Sequence, residues 1–134
     1  MHGSEILGRL RERYGRTRSV KMYHGNESLE ETVRTFRGCR VLIAAHGGGQ
    51  SNMLFMPPGG AVIEVRPDNW PMPCFIDLAD NVGVQHHLVV TAPDRTPGAK
   101  RCVPDKHPEL CLDMGWFMPQ VYRIIDDLDR RRSE

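Results

Sequence analysis

The spacing of apolar residues along the chain predicts helices that alternate with short strands. Apolar side chains recur at three- and four-residue steps in four of the five predicted helices, which is the spacing of a helix with one buried face. The first predicted helix covers residues 4–13 and is capped by Ser4, and the second begins at the capping box of Ser28 and Glu31 and carries Leu29, Val33 and Phe36 on one face. A short helix is predicted over residues 51–56. The fourth helix is opened by Pro71 and Pro73 and has Phe75, Leu78, Ala79 and Val82 on one face, and the fifth covers residues 116–131.

Four short segments have the patterns of strands. Residues 20–23 alternate between apolar and polar side chains, while residues 41–45, 61–65 and 88–91 are largely apolar. Near-continuous apolar runs are typical of strands buried on both faces of a parallel sheet. The alternation of strands with helices therefore predicts an α/β fold, a Rossmann-like domain of three layers with helices on both faces of a mostly parallel sheet.

Composition and charge limit the classes of function that this chain is expected to have. A chain of 134 residues suits one small domain, and its net charge of +1 gives no electrostatic indication of a nucleic-acid partner. Its longest apolar runs are far shorter than the roughly 20 residues of a membrane-spanning helix, so we expect no membrane insertion by this chain. The four cysteines are too few for a disulfide scaffold. Residues 93–113 contain four prolines without periodicity, which predicts a long loop.

A glycine-rich turn follows the strand at residues 41–45 and is the first candidate site. In α/β domains ligands bind outside the carboxyl ends of the strands, where this turn, HGGGQSN at residues 46–52, is expected. Glycines let a backbone approach a ligand closely, and the helix start that follows offers N–H groups to an anion. Ser51 and Asn52 are good cap residues and could add side-chain donors to a phosphate. The alternative is a tight turn that binds nothing.

Glu64 is the second candidate, since it stands among apolar neighbours near the carboxyl end of the next strand. A buried carboxylate needs a partner. In nucleotide-binding α/β domains, an acid at this place accepts hydrogen bonds from ribose hydroxyls. The alternatives are a carboxylate paired with an arginine such as Arg66, or one that caps a nearby helix.

Three known motifs can be compared with the turn. A P-loop requires Gly-Lys-Ser/Thr, whereas Gly49 is followed by Gln50 and Ser51. A dinucleotide fingerprint is met only in part, because Asn52 stands where the third glycine belongs. A lipase oxyanion loop requires a later G-x-S-x-G motif, and the only serine after Ser51 is Ser133. The first and third are excluded, and the second is weak.

Residues 41–65, VLIAAHGGGQSNMLFMPPGGAVIEV, resemble the signature of glycosyltransferase family 61. The family signature joins an apolar strand to His-Gly-Ala-Gly-Leu-Thr-Asn, a Pro-Pro-Gly segment and a strand that ends in Glu. The resemblance extends over about residues 20–92. Here Gly48 replaces the usual Ala, Ser51 replaces Thr, and Gln50 replaces an apolar residue, which could alter the pocket or simply face solvent.

This resemblance implies a transferase that moves a sugar, such as N-acetylglucosamine or xylose, from a UDP donor to a glycan or protein acceptor, with inversion. The implied fold is the C-terminal, donor-binding half of a GT-B enzyme, with the N-terminal half as a missing partner. No metal cofactor is expected, because a site of the GT-B kind can stabilise the leaving diphosphate with a helix N-terminus and hydrogen-bond donors. A eukaryotic member would reside in the Golgi or endoplasmic reticulum. By position, the implied diphosphate site consists of His46, Gly47, Gly48, Gly49, Ser51 and Asn52.

The same resemblance implies roles for His46 and Glu64. Glu64 would take the ribose or an adjoining polar contact. His46 would donate to the diphosphate or act as the base, and we favour the donor role because the family's base is expected on the other domain. An unperturbed imidazole titrates near neutral pH, which suits either role.

On this interpretation residues 1–19 form an N-terminal helix and basic linker. Residues 20–134 form the nucleotide-sugar-binding domain, which includes the loop at 93–113 and a C-terminal helix at 114–132. Two other functions stay open, namely a nucleotide-binding module without transferase activity and a dinucleotide-dependent oxidoreductase.

A zinc site is weakly indicated by Cys102, His107 and Cys111, since their spacing lacks paired C-x2-C motifs. A Cys102–Cys111 disulfide or free thiols are the alternatives. His86 and His87 would not chelate one metal together, because adjacent residues of a strand point to opposite faces.

Overall fold

A computed structural model describes residues 3–67, 72–91 and 112–134 of the chain. In chain order the elements are helix α1 (Gly3–Tyr14), helix α2 (Leu29–Arg37), strand β1 (Val41–Ala45), a 3-10 helix (Gly48–Phe55), strand β2 (Ala61–Pro67), helix α3 (Cys74–Val82), strand β3 (Gln85–Thr91) and helix α4 (Met114–Ser133). None of the described helices is long and apolar enough to cross a membrane.

The three described strands form one parallel sheet in the order β1-β2-β3, which confirms the predicted α/β class. Strand β2 is central, and residues 61–65 are fully buried between two apolar layers. On one face Ile63 and Val65 pack with residues of α1 and α4. On the other face Val62 packs with residues of α2, the 3-10 helix and α3. The fold is therefore compatible with the Rossmann-like arrangement that the sequence predicts.

Several local predictions are confirmed. Ser28 and Glu31 form the complete capping box at the start of α2. Helix α3 buries Phe75 and Ala79, with Leu78 and Val82 packed beside them. It ends at Gly83, whose φ of 75° lies in the left-handed region that glycine adopts without strain. Helix α4 begins at Met114, after its cap residue Asp113, which agrees with the predicted C-terminal helix at 114–132.

The prediction of a strand at residues 20–23 is wrong. This segment pairs with none of the three described strands. Val20 packs against one core cluster and Tyr23 against the other. The Tyr23 ring meets Phe36 edge-on, with centroids 5.1 Å apart, and its hydroxyl lies 3.1 Å from that of Thr32. The alternation thus reflects side chains that anchor an extended connection.

Strand β1 is not buried on both faces as predicted, because all five of its residues are only partly buried. It lies at an edge of the described sheet, so no further described strand covers its outer side. A run of apolar residues indicates that a strand is hydrophobic, but it does not indicate whether the strand is central or at an edge of the sheet.

Two helix details also differ from the predictions. Helix α1 begins at Gly3, so Ser4 lies inside the first turn and is not the cap residue. In α2 the buried residues are Thr32 and Phe36, while Leu29 is 72% exposed. Leu29 is the first residue of that helix, one turn before the buried Thr32.

Other predictions fall outside the described residues. These are most of the loop at 93–113, with the zinc or disulfide prediction for Cys102, His107 and Cys111, and the helix-opening role of Pro71. The proposed division at residue 19 stays a prediction. Helix α1 nevertheless contributes Ile6, Leu10 and Tyr14 to the cluster that includes Ile63 of the central strand.

We expect stability to fall at alkaline pH because of Tyr14, which anchors α1 to α4. Its hydroxyl donates to Asp126 at 2.8 Å, and burial is the main cause that raises its pKa to about 12 from 10. Between pH 10 and about pH 12, Tyr14 of the unfolded chain loses its phenolic proton while Tyr14 of the folded chain keeps it. The free energy of unfolding should therefore decrease with pH, by at most about 1.4 kcal/mol per unit.

Urea unfolding measured from pH 9 upward, with Tyr14→Phe as the comparison, would check this expectation. The phenylalanine variant should lose this part of the alkaline slope. An equal slope in both proteins would contradict the assignment to Tyr14.

Candidate functional site

Three side chains meet in a buried polar array beside the central strand. Glu64 is fully buried, and each of its carboxylate oxygens is held by a histidine. His46 Nδ1 forms a hydrogen bond with Oε1, and His86 Nε2 lies 2.6 Å from Oε2. These three residues form the His-Glu-His array. An array of this kind satisfies a carboxylate that burial would otherwise penalise.

The register of the parallel sheet explains why these residues meet. Side chains alternate between the two faces of a strand, so Glu64 shares the face of Val62, toward α2, the 3-10 helix and α3. Val62 is paired with His86 in β3, and Leu42 is paired with Val62 from β1. His46 follows the last residue of β1, and because it is two residues after Ala44 its side chain lies on the same face as Leu42 and Ala44. The three residues are far apart in sequence but lie on one face.

His46 is held in place by the backbone as well as by Glu64. Its N–H donates to the carbonyl of Val65 at 2.8 Å, which extends the sheet ladder past the end of β1. Its ring meets Phe75 of α3 edge-on, with centroids 5.1 Å apart. The His46 side chain is 14% exposed to solvent. An imidazole fixed through Nδ1 carries its second nitrogen, Nε2, on the opposite edge of the ring.

The glycine-rich turn opens directly from His46. Gly47, Gly48 and Gly49 lie where an added Cβ would meet no atom of the described residues within 4 Å. None of the three has a φ that requires glycine. Within the described structure, neither packing nor backbone strain accounts for three consecutive glycines. Space above a backbone of this kind is what a closely bound ligand would use.

The turn continues as a 3-10 helix, which changes the predicted roles of Ser51 and Asn52. The cap residue of that helix is Gly47, without a side-chain hydrogen bond, so neither Ser51 nor Asn52 is a cap. Asn52 donates through Nδ2 to the carbonyl of Gly49 at 3.1 Å, and Ser51 is exposed. The sequence pattern predicts a helix start correctly but places it three residues too late.

Gln50 is enclosed by the protein, which excludes the alternative in which this departure from the family pattern faces solvent. The residue is fully buried and donates through Nε2 to the carbonyl of Ala45 at 2.9 Å. Its Oε1 accepts no hydrogen bond within the described structure. Gln50 therefore ties the turn to the end of β1 and leaves a buried acceptor at the base of the candidate site.

Two expectations for Glu64 are corrected by the structure. The residue lies in the middle of β2 (Ala61–Pro67), not near its carboxyl end, because the strand continues through Arg66. Neither alternative partner applies, since the carboxylate is bound by two histidines and Arg66 donates to the carbonyl of Met72 at 2.9 Å. The apolar run ends at Val65, which makes Glu64 look terminal in the sequence.

His86 is the residue of the array that the sequence does not indicate. From the sequence it is a candidate only for metal binding, at the start of a strand whose apolar residues are 88–91, whereas strand β3 begins at Gln85. The sequence could have indicated His86 as a partner of Glu64, because these two residues lie on the same face of the sheet when β2 and β3 are aligned in parallel. Among the described residues, no cluster of three or more His, Cys, Asp or Glu side chains is arranged to hold a metal ion.

His87 lies on the opposite face of β3, as predicted from strand alternation. Its Nε2 lies 3.3 Å from Gln85 Oε1. Burial lowers the pKa of His87, and the nearby charges of His86, Arg131 and Arg123 lower it further. His87 is therefore a histidine outside the array, one position from His86, and serves as its matched control.

The glycine-rich turn and the strand before it also lie within a match to a known family. A family model described as Glycosyltransferase 61 matches residues 3–63. The match includes α1, β1 and the whole glycine-rich turn, and it ends one residue before Glu64. Among curated proteins, none matches the chain. The family match confirms the resemblance found in the sequence and supports a glycosyltransferase function.

Proposed function

Because the match over residues 3–63 supports assignment to glycosyltransferase family 61, we propose that this chain binds the UDP-sugar donor of an inverting transfer. The observation that carries the proposal is the position of His46. It joins the matched glycine-rich turn to a buried carboxylate, and an added Cβ on any of the three glycines of that turn would meet no described atom within 4 Å. The donor sugar would be one such as N-acetylglucosamine or xylose, and the acceptor a glycan or a protein.

The turn has the properties that a diphosphate requires. The first N–H groups of a helix have no partner within the helix, and they favour an anion. The three glycines bring no side chains between these groups and a ligand. Gly47, Gly48 and Gly49 would line the diphosphate site with His46, and the exposed Ser51 lies within the same turn. Asn52 would act mainly by fixing the turn, since its amide nitrogen is engaged by Gly49.

His46 would stabilise the leaving diphosphate. With Nδ1–H directed to Glu64, a protonated ring donates from Nε2 to a diphosphate oxygen, and the carboxylate balances the charge of the imidazolium. This is the logic by which a buried carboxylate supports a catalytic histidine. Glu64 would act through His46, because its own oxygens are engaged and fully buried.

The proposed transfer forms one bond to the anomeric carbon and breaks another. The oxygen of the acceptor hydroxyl bonds to that carbon from the face opposite UDP, and the bond from the carbon to the diphosphate oxygen breaks. The electron pair of the broken bond stays on UDP, where backbone N–H groups and His46 stabilise it. The hydroxyl proton goes to a base that the family resemblance places on a second, N-terminal half. No metal is needed for these steps.

Calorimetric titration of the purified chain with UDP, with and without Mn²⁺, tests the proposal. We expect metal-independent binding that His46→Ala weakens at least about tenfold, because a hydrogen bond to a charged group contributes about 1.5–3 kcal/mol. His24→Ala, which removes an exposed histidine, is the matched control and should bind as the unmodified chain does.

Titration with other nucleotides distinguishes the transferase from the two alternative functions, the oxidoreductase and the nucleotide-binding module. Tighter binding of NAD than of UDP would favour the dinucleotide-dependent oxidoreductase and contradict the transferase proposal. Binding of UDP-N-acetylglucosamine or UDP-xylose without sugar transfer, even with the N-terminal half supplied, would favour the nucleotide-binding module. Absence of binding to every nucleotide would overturn the donor-site proposal.

A further inference from the structure

His86 occupies a position from which it can control His46 without touching a ligand. Its side chain is 6% exposed, and its Nε2 lies 2.6 Å from Glu64 Oε2. The other oxygen of the same carboxylate contacts His46 Nδ1. Glu64 therefore links the two rings, and a change in the hydrogen bonding of one oxygen affects the other.

The hydrogen bonds made to a buried carboxylate affect whether it keeps its charge. A fully buried carboxylate stays ionised only where hydrogen bonds or charges compensate for lost water. The described structure places two imidazole nitrogens against Glu64, Nδ1 of His46 and Nε2 of His86, and each can donate to an ionised carboxylate. If His86 were replaced by an apolar residue, one oxygen would lose its donor. A buried carboxylate in that condition is neutralised by taking up a proton.

Neutralisation of Glu64 would reverse the hydrogen bond to His46. An ionised carboxylate only accepts, so a neutral His46 ring must carry its proton on Nδ1 and present a lone pair at Nε2. A protonated carboxyl can donate its O–H to Nδ1, and the ring proton then belongs on Nε2. The tautomer of His46 thus reports the state of Glu64, and through it the donor at position 86.

We propose that His86 is a positioning residue for His46, because its hydrogen bond to Glu64 keeps the carboxylate ionised and so holds the His46 proton on Nδ1. The consequence for sugar transfer rests on the proposed function, since an ionised Glu64 is the counter-charge for a His46 imidazolium at the diphosphate. The tautomer itself is a property of the protein alone.

Long-range ¹H–¹⁵N NMR of the full chain measures the tautomer directly. In the unmodified protein, the neutral His46 ring should be at least about nine-tenths in the Nδ1–H form. His86→Leu should move most of that population to Nε2–H, whereas His86→Gln, which keeps an N–H donor, should retain Nδ1–H. His87→Leu, one residue away on the opposite face, should leave His46 unchanged.

Two outcomes would overturn the proposal. One is a His46 tautomer that stays Nδ1–H in His86→Leu, and the other is an equal change in His87→Leu. If His86→Leu does not fold, the carboxyl ¹³C shift of Glu64 in the unmodified chain decides instead. An ionised Glu64 in both the unmodified chain and His86→Gln supports the proposal, and a protonated one in either contradicts it.

Titration with UDP distinguishes this proposal from the proposed function. His86→Leu should weaken UDP binding about as much as His46→Ala does, and His86→Gln should preserve it within about threefold. If the unmodified chain does not bind UDP, the donor-site proposal fails, while the NMR result still decides the role of His86. If UDP binds and the tautomer is indifferent to position 86, only the role of His86 fails.

Discussion

Glu64→Ala should lower the free energy of unfolding by about 3–5 kcal/mol, the usual cost of removing one partner from a buried polar cluster. The substitution leaves two imidazole rings without their common hydrogen-bond partner and opens a cavity beside the buried residues 61–65 of the central strand. Urea unfolding followed by circular dichroism measures the loss. Glu64→Gln keeps the volume and one acceptor oxygen, and its cost should be clearly smaller.

A loss below about 1 kcal/mol for Glu64→Ala would contradict the structural role of the His-Glu-His array. The function of Glu64 needs a separate test, since the family resemblance assigns it to the ribose whereas its burial favours an action through His46. A double-mutant cycle on UDP affinity, with Glu64→Gln and His46→Ala, separates these two roles. Strong coupling indicates that Glu64 acts through His46, and additive losses indicate an independent contact with the ligand.

Gly48→Val should abolish most UDP binding while leaving the fold intact. An added Cβ at this position meets no described atom within 4 Å, and the backbone there is not in the left-handed region. The free energy of unfolding should therefore change by less than about 1 kcal/mol. A branched side chain would occupy the space proposed for the diphosphate. We expect UDP affinity to fall more than about 100-fold, or about 2.7 kcal/mol.

Gly60→Ala is the contrasting variant, because its Cβ would lie 2.9 Å from the carbonyl oxygen of Arg40. That contact forces the backbone to shift, so this variant should lose stability, and its loss of UDP affinity should be small once it is folded. Unchanged UDP binding in Gly48→Val would place the ligand elsewhere. A large loss of stability in that variant would instead make Gly48 a packing glycine.

The parts of the fold that could be predicted from sequence are those with local causes. The capping box at Ser28 and the apolar face of α3 follow from contacts within a few residues of one another. The resemblance around the glycine-rich turn also lies in one continuous stretch, so it identified the matched family without any structure. The predictions that failed, such as a strand at residues 20–23 and a buried β1, depend on which segments pair across the sheet.

The candidate site shows the same division. His46 and the glycines could be found because they are adjacent in sequence, and Glu64 because a charged residue interrupts an apolar run. The partners of Glu64 could not be read from the chain. They are 18 residues before it and 22 residues after it, and only the register of two strand pairs brings them together.

The sequence by itself determined the α/β class, most of the helices, the glycine-rich turn and the likeness to family 61 glycosyltransferases. Each of these follows from periodicity or from a continuous motif, which act over short separations along the chain. The tertiary structure alone decided that Glu64 is enclosed at the centre of the sheet, that His86 is its second partner, and that His46 is anchored through Nδ1. These depend on strand order and register, which are fixed when distant segments share a core.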